Sequence, residues 1–149
     1  MAVTLPPVVP LLALRIRAPP GQVAGTLTAT AAGAPSPAAV AVKVPATRPG
    51  GARIRSASSG VTGGKVTAIA RWAAPRSDGG AKVNGYQVYG YRLNDRGAVV
   101  QTVTSSVRTP STRSWQPTLH GGRWQFAVRA RNSVGWGKLS ARSSTVTAR

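Results

Sequence analysis

The residues best suited to binding chemistry in this chain are arginines on one predicted strand. Residues 123–132, RWQFAVRARN, alternate polar and apolar side chains with the period of two that a half-buried strand shows. Arg123, Arg129 and Arg131 therefore share an outward face. A guanidinium group is planar and always charged, so such a row can bind phosphate, carboxylate or sugar through forked hydrogen bonds. The alternative is a solvated sheet face that is protected by arginine.

Residues that could catalyse a reaction or bind a metal are scarce. The chain has two acids, Asp78 and Asp95, one histidine, His120, and no cysteine. Both acids fall in predicted turns, where we expect the Asp78 side chain to accept backbone hydrogen bonds. His120 has no neighbouring ligand residue, and we expect it to be a surface turn residue. Since hydrolysis needs a base, a nucleophile or paired carboxylates, we expect no enzyme, no cofactor and no metal ion.

The charge of the chain is strongly one-sided. Twenty Lys and Arg residues stand against two acids in 149 residues, for a formal net charge of +18. Most arginines therefore have no carboxylate within their own chain and must meet water, a polyanion or an acidic partner. Charge alone predicts salt-sensitive, non-specific nucleic-acid binding. The basic residues are spread at near-even spacing, which does not indicate a recognition site for nucleic acid.

The N-terminal third has a composition of its own. The first 50 residues hold nine of the twelve prolines and neither acids nor aromatics, so a helix is disfavoured. Short extended pieces are predicted at 11–17, 23–30 and 38–44. We predict that residues 1–48 form an extended arm that adds strands to a neighbouring subunit, with a flexible linker as the alternative. The candidate arm contacts are Leu11, Leu12, Leu14, Ile16, Val40 and Val42.

The apolar run Val3–Leu14 does not have the features of a membrane span. It is too short and is interrupted by three prolines. In a signal peptide a basic region precedes the apolar run, and no basic residue precedes this one. We therefore expect an N-terminus that is neither cleaved nor inserted in a membrane.

From residue 49 onward, the pattern predicts an all-β domain. Short alternating segments are separated by Gly, Ser and Asp turns every ten residues or so, which is typical of a β-sandwich. In the predicted strand at 65–72, alternation puts Ala68, Ala70 and Trp72 on one face. The predicted strands are 53–58, 65–72, 86–93, 98–103, 114–117, 123–132 and 140–148.

Four pieces of sequence, in this order, resemble the fibronectin type III family. They are ARWAAP at 70–75, SDGG at 77–80 leading to GYQV at 85–88, LHGGRWQFAVRA at 119–130, and NSVGWG at 132–137. The resemblance covers residues 49–149 and implies a seven-stranded fibronectin type III-like (immunoglobulin-like) β-sandwich, preceded here by the extended arm. It implies that an indole lies buried between the sheets. The predicted core residues are Trp72, Tyr86, Val88, Leu119, Trp124, Phe126 and Val128.

The chain departs from the family pattern in two places. The corner residue before the sixth strand is usually Tyr, whose hydroxyl bonds to backbone upstream. Here it is Trp124, so an indole N–H must rebuild that bond with a different reach. Strict alternation puts Tyr89 and Tyr91 on the outer face of the third strand, unless a bulge near Gly90 returns one of them to the core.

The resemblance also brings the candidate binding residues together. In the family the third strand neighbours the sixth, so both tyrosines would share the outer face with the arginines. Trp136, in the turn before the last strand, is either a further contact or packs over the end of the sandwich. The candidate interface is Tyr89, Tyr91, Arg123, Arg129, Arg131 and Trp136.

Three functions fit these observations, none of them with a small-molecule substrate. The first is a bacteriophage virion component, a capsid decoration or a tail or tail-tip subunit. Its arm would bind the major shell or tail protein, or a further copy of itself. The alternative is an extracellular accessory module that binds polysaccharide or an anionic cell surface. Non-specific nucleic-acid binding ranks third. The fold alone does not choose, since it hosts many functions.

Overall fold

The computed structural model describes residues 27–28, 39–40, 44–63 and 65–149. Two short strands, β1 (Leu27–Thr28) and β2 (Ala39–Val40), pair with each other in antiparallel register. They lie within two of the extended pieces predicted for the arm. The third predicted piece, 11–17, lies outside the described residues, as do Leu11, Leu12, Leu14, Ile16 and Val42.

Seven further strands form two antiparallel sheets that pack as a β-sandwich. The first sheet has the order β3-β4-β7, and the second has the order β6-β5-β8-β9. This is the seven-stranded architecture that the turn spacing and the alternation predict. The strands are β3 (Arg53–Ser59), β4 (Ala68–Ala73), β5 (Gly85–Leu93), β6 (Val99–Thr104), β7 (Ser114–Trp115), β8 (Gly122–Arg131) and β9 (Val146–Ala148).

The predicted last strand, 140–148, is wrong over its first half. Only its end forms the regular β9 ladder. Upstream, Val128 N–H donates to Ser140 Oγ and Phe126 N–H donates to Ser143 Oγ, each at 3.0 Å. The N–H groups of the two serines return bonds to the carbonyls of the same two residues. Serine hydroxyls thus replace ladder carbonyls, so the segment stays attached to β8 without forming a regular strand.

The core lies between the two sheets and takes alternate residues from each. The largest fully buried side chains are Trp124, Tyr86, Phe126, Val88 and Val128. Trp72 and Leu119 are also buried, so the structure places all seven predicted core residues inside. The Trp72 and Tyr86 rings lie 5.8 Å apart between centroids, at a tilt of 53°.

Gly90 allows close packing across the second sheet. A Cβ at this position would lie 2.9 Å from Val103 Cγ2 and 3.1 Å from Phe126 Cε1. The pairing of β5 with β8 is unbroken from Gly85 to Leu93, so no bulge against β8 interrupts β5 at Gly90. A side chain here would require the Val103 and Phe126 side chains to shift.

Residues 44–50 lead into the sandwich and are fixed to one end of it. Thr47 N–H donates to the Gly79 carbonyl at 2.7 Å. The buried Asn132 amide donates to the carbonyls of Thr47, at 2.6 Å, and Asp78, at 2.8 Å, while its Oδ1 accepts from Gly135 N–H. One side chain thus joins the lead-in, the loop before β5 and the turn after β8. The domain boundary at 48/49 stays a prediction.

Candidate functional site

The outer face of the four-stranded sheet carries two stacked tyrosines. In the register of β5 with β8, Tyr89 lies opposite Ala127 and Tyr91 lies opposite Gln125. Because β5 alternates without a bulge along β8, both tyrosines point away from the core. Their rings stack with a centroid distance of 6.5 Å and an interplanar angle of 12°.

Arg129, on the neighbouring β8, is held between two aromatic rings. Its guanidinium carbon lies 5.3 Å from the Tyr89 ring centroid and 4.5 Å from that of Trp136. Gln87 Oε1 accepts from Arg129 Nε at 3.2 Å, from Arg129 Nη2 at 2.7 Å and from the Tyr89 hydroxyl at 2.8 Å. An amide oxygen and two rings therefore orient this charge without the help of a carboxylate.

Trp136 folds back over the sheet from the turn after β8. It forms an antiparallel bridge with Arg131, whose guanidinium carbon lies 5.3 Å from its ring centroid. Arg131 Nε donates to Asn84 Oδ1 at 3.1 Å. The turn needs Gly135, with a φ of 139°, which side chains rarely adopt. Trp136 is half-buried, so it stacks between two arginines on the sheet face and does not project from a loop tip.

The two ends of this face differ from the prediction. Arg142 lies with its guanidinium carbon 4.3 Å from the Tyr91 ring centroid, a contact that the sequence did not indicate. Arg123 is exposed and stands apart, with its Nη1 donating to the Asp95 carbonyl at 3.4 Å. We call the connected set the arginine–aromatic row. It comprises Arg142, Tyr91, Tyr89, Arg129, Trp136 and Arg131.

The row is a partly dehydrated cationic surface. All of its members are half-buried except the exposed Arg142, and Ala127 beneath it is fully buried although it faces outward. Each cation–π contact contributes about 0.5–1 kcal/mol when exposed and about 2 kcal/mol when dehydrated. The rings fix the arginine positions but leave the three charges intact. Such a surface suits an anion that can accept hydrogen bonds from guanidinium edges.

The residues that a catalytic site would need serve as turn residues here. Asp78 Oδ1 accepts from Gly80 N–H at 2.9 Å, which is the backbone role that the sequence predicts. Asp95 is exposed in the β5–β6 turn, and His120 is exposed at the corner before β8. Within the part of the chain that the structure describes, no cluster of three His, Cys, Asp or Glu side chains could hold a metal ion. That same part contains no helix long and apolar enough to span a membrane.

Two buried aromatic side chains, Trp124 and Tyr86, carry polar groups away from the row. Trp124 Nε1 donates to the His120 carbonyl at 2.9 Å, so the indole N–H makes the backbone bond at the corner before β8. Burial raises the pKa of Tyr86 above its ordinary value of 10.0, and the nearby positive charge of Arg113 acts in the opposite direction. Neither group reaches the arginine–aromatic row.

The comparisons with known proteins concern the fold alone. No protein-family model matches the chain, and no curated protein matches it. The crystal structure of domains A168-A170 from titin is similar, with a TM-score of 0.56, 23% identity, and coverage of 76% of this chain and 36% of that chain. A structure of titin kinase and its flanking domains has a TM-score of 0.47, 20% identity, and coverage of 66% and 16%.

The likeness to the titin A168-A170 domains shows the fold. The described sandwich is an immunoglobulin-like, fibronectin type III-like domain. The chain spans about a third of the titin fragment, so the likeness does not extend to that protein's other domains.

Proposed function

We propose that this chain is a non-enzymatic structural subunit that binds an acidic surface of a neighbouring protein through its arginine–aromatic row. The row itself carries the proposal, because it holds three guanidinium groups on one sheet face in a chain of net charge +18. Fixing the arginines before binding lowers the side-chain entropy lost in the complex. A partner rich in Asp and Glu supplies the carboxylates that this chain lacks.

The setting we propose is a bacteriophage particle. The chain would be a capsid decoration or a tail or tail-tip subunit, and it would be located in the virion. Residues 1–48 would form the arm that attaches it to the major shell or tail protein, or to a further copy of itself, while the sandwich projects. A small cysteine-free sandwich joined to a Pro- and Val-rich segment supports this setting, as does a composition rich in Ala, Arg, Gly and Pro.

A polysaccharide or an anionic cell surface is the alternative partner. One observation favours it, because Tyr89, Tyr91 and Trp136 all lie on a single sheet face beside arginines. Aromatic rings flanked by hydrogen-bond donors can stack on sugars, and the arginines would bind acidic groups on them. This function would place the protein outside the cell. Non-specific binding of nucleic acid through charge remains the third candidate.

The test is crosslinking mass spectrometry on the native source material, from Lys43 and Lys65. Repeated crosslinks to one abundant shell or tail protein are the expected result. A chain that is found free in the medium or on a cell wall, with no protein crosslinks, would favour the glycan-binding module instead.

Charge-matched variants test the row in a binding assay with the crosslinked partner. The triple variant Arg129→Gln, Arg131→Gln and Arg142→Gln should weaken binding by at least about tenfold, roughly 1.4 kcal/mol. The control changes three exposed arginines outside the row, Arg55, Arg76 and Arg96, to Gln, which lowers the net charge equally. An equal loss in both variants would mean that overall charge, and not the row, provides the affinity.

A further inference from the structure

The outer edge of β6 is unpaired among the described residues and carries no charge. β6 pairs with β5 on one side, and no described residue pairs with its other side. Val99, Val100 and Val107 are 40%, 57% and 45% exposed. Residues 97–107 form the longest stretch of the sandwich sequence without a charged residue. Because edge strands usually carry charges or proline that prevent pairing, this edge is suited to accept another strand.

The geometry of the ladder shows which backbone groups the edge offers. Ser105 N–H donates to the Val88 carbonyl at 2.9 Å, and Val88 N–H donates to Ser105 Oγ at 3.0 Å, so Ser105 bonds towards β5. In an antiparallel ladder hydrogen-bonded residues alternate, so Gln101 and Val103 also bond to β5. The N–H and C=O groups of Thr102 and Thr104 therefore point to the free edge.

Whereas β6 is a strand with a free edge, the β1–β2 hairpin is a strand pair with no third strand among the described residues. It pairs two residues with two, and it belongs to a separate two-stranded sheet. An isolated two-stranded hairpin is at best marginally stable in water and needs a further strand or layer. The surrounding sequence, residues 18–42, contains no charged residue.

We propose that the β1–β2 hairpin of one copy adds to the free β6 edge of a second copy. This deepens the proposed arm and rests on it, since it names both the donor segment and the acceptor strand. Two copies of a chain with a net charge of +18 repel each other. The segments 18–42 and 97–107 contain no charged residue, so they can meet without placing like charges against each other. Reciprocal exchange of hairpins closes a dimer, and exchange in one direction builds a chain of subunits.

Direct pairing of two β6 edges is the less favourable use of this surface. An antiparallel pair centred on Thr102 would bring Arg96 of each copy, in the turn before β6, towards Arg108 of the other, which follows β6. Like charges directly opposite each other destabilise a strand pair. The uncharged hairpin avoids this repulsion while it supplies the same backbone hydrogen bonds.

The experiment measures self-association of the full chain by sedimentation velocity. The acceptor variant, Thr102→Pro, removes an N–H that points to the free edge but keeps the bonds to β5, and Thr102→Val is its control. The donor variant, Leu27→Pro, breaks the hairpin, and Leu27→Val is its control. We expect the wild type and both controls to self-associate and each proline variant to be monomeric. Mixing the two proline variants should restore a 1:1 complex, because each supplies what the other lacks.

Several results would overturn the proposal. These are a wild-type chain that stays monomeric at its highest soluble concentration, a Leu27→Pro variant that still self-associates, and a mixture that forms no complex. Val100→Lys places a charge on the same edge and serves as the acceptor variant if Thr102→Pro fails to fold, as judged by tryptophan fluorescence. If one of these results is obtained while the crosslinks to a shell or tail protein persist, the hairpin exchange fails and the proposed function still stands.

Discussion

Two buried tryptophans differ in one hydrogen bond, and the difference is measurable. Trp124 Nε1 donates to the His120 carbonyl, whereas the buried Trp72 Nε1 has no hydrogen-bond partner among the residues that the structure describes. Trp124→Phe loses a bond worth about 0.5–1.5 kcal/mol, while Trp72→Phe removes a polar atom that is costly to bury. We expect Trp124→Phe to lower the free energy of unfolding by at least about 1 kcal/mol more than Trp72→Phe does. Urea unfolding of both variants measures this, and equal losses would contradict the corner bond.

Tyr86 connects the core to the pH dependence of stability. Burial raises its pKa above 10.0 in the folded chain, so ionisation is harder there than in the unfolded chain. Its contribution to stability is fully present below about pH 10 and is lost as the pH rises through the folded-state pKa. Tyr86→Phe lacks this titration, and its stability relative to the wild type should therefore rise above about pH 10. Parallel unfolding free energies of the two proteins from about pH 8 to about pH 11 would refute this.

Single residues also show how far a sequence pattern can predict the site. Alternation along residues 123–132 is enough to orient Phe126 inward and Arg129 outward, because both lie on one regular strand. Trp136 is different, since its position depends on a glycine turn that folds it back over β8. The position of Arg142 cannot be predicted from a strand periodicity, because it lies in the irregular segment where serine hydroxyls replace the ladder carbonyls.

At the scale of the elements, the segment 140–143 depends on two serine side chains. Phe126 N–H is buried against Ser143 Oγ, which in turn donates to the Ser144 carbonyl. Ser143→Ala leaves that N–H without an acceptor, so we expect a loss of about 1–3 kcal/mol in the free energy of unfolding. Ser144→Ala changes an exposed neighbour and should stay within about 0.5 kcal/mol of the wild type. If Ser143→Ala lowered the free energy of unfolding as little as Ser144→Ala does, water would be replacing the lost hydroxyl.

The same segment explains why strand extent was harder to predict than strand number. Valine and threonine at 146–148 favour a strand, and the sequence upstream also contains small β-compatible residues. The sequence does not reveal that Ser140 and Ser143 bond through their hydroxyls, because this depends on the neighbouring β8. The number of strands and their succession along the chain depend on turns such as Asn94–Gly97 and on buried alternation. Those signals are local, so they can be seen in one sequence.

For the whole molecule, the buried core and the proposed binding surface are separate. The core between the sheets holds the large apolar side chains, and the arginine–aromatic row lies outside the second sheet. The row can therefore change its partner contacts without altering the core. The β6 edge and the row belong to the same sheet, so a strand added at β6 would extend the surface beside the row. Assembly and partner binding would then use adjacent parts of one sheet.

The junction between the arm and the sandwich gives a prediction for the whole chain. Deleting residues 1–43 leaves the Thr47 bonds to Gly79 and Asn132 intact, so the melting temperature should match that of the full chain under conditions where both are monomeric. Deleting residues 1–48 removes those bonds and leaves part of the buried Asn132 amide without a partner. We expect a loss of about 1–3 kcal/mol, and each kcal/mol lowers the melting temperature by about 4–8 °C in a domain of this size.

Calorimetry of the two truncated chains separates the two placements of the boundary. A lower melting temperature for the shorter chain alone would mean that the folded unit begins before Thr47 and that the arm is attached through the Asn132 amide. Equal melting temperatures would contradict this, because they would mean that Thr47 adds no stability and that the sandwich begins at Pro49. In the first case a force on the arm would act directly on the loop before β5 and the turn after β8, since the same amide holds all three.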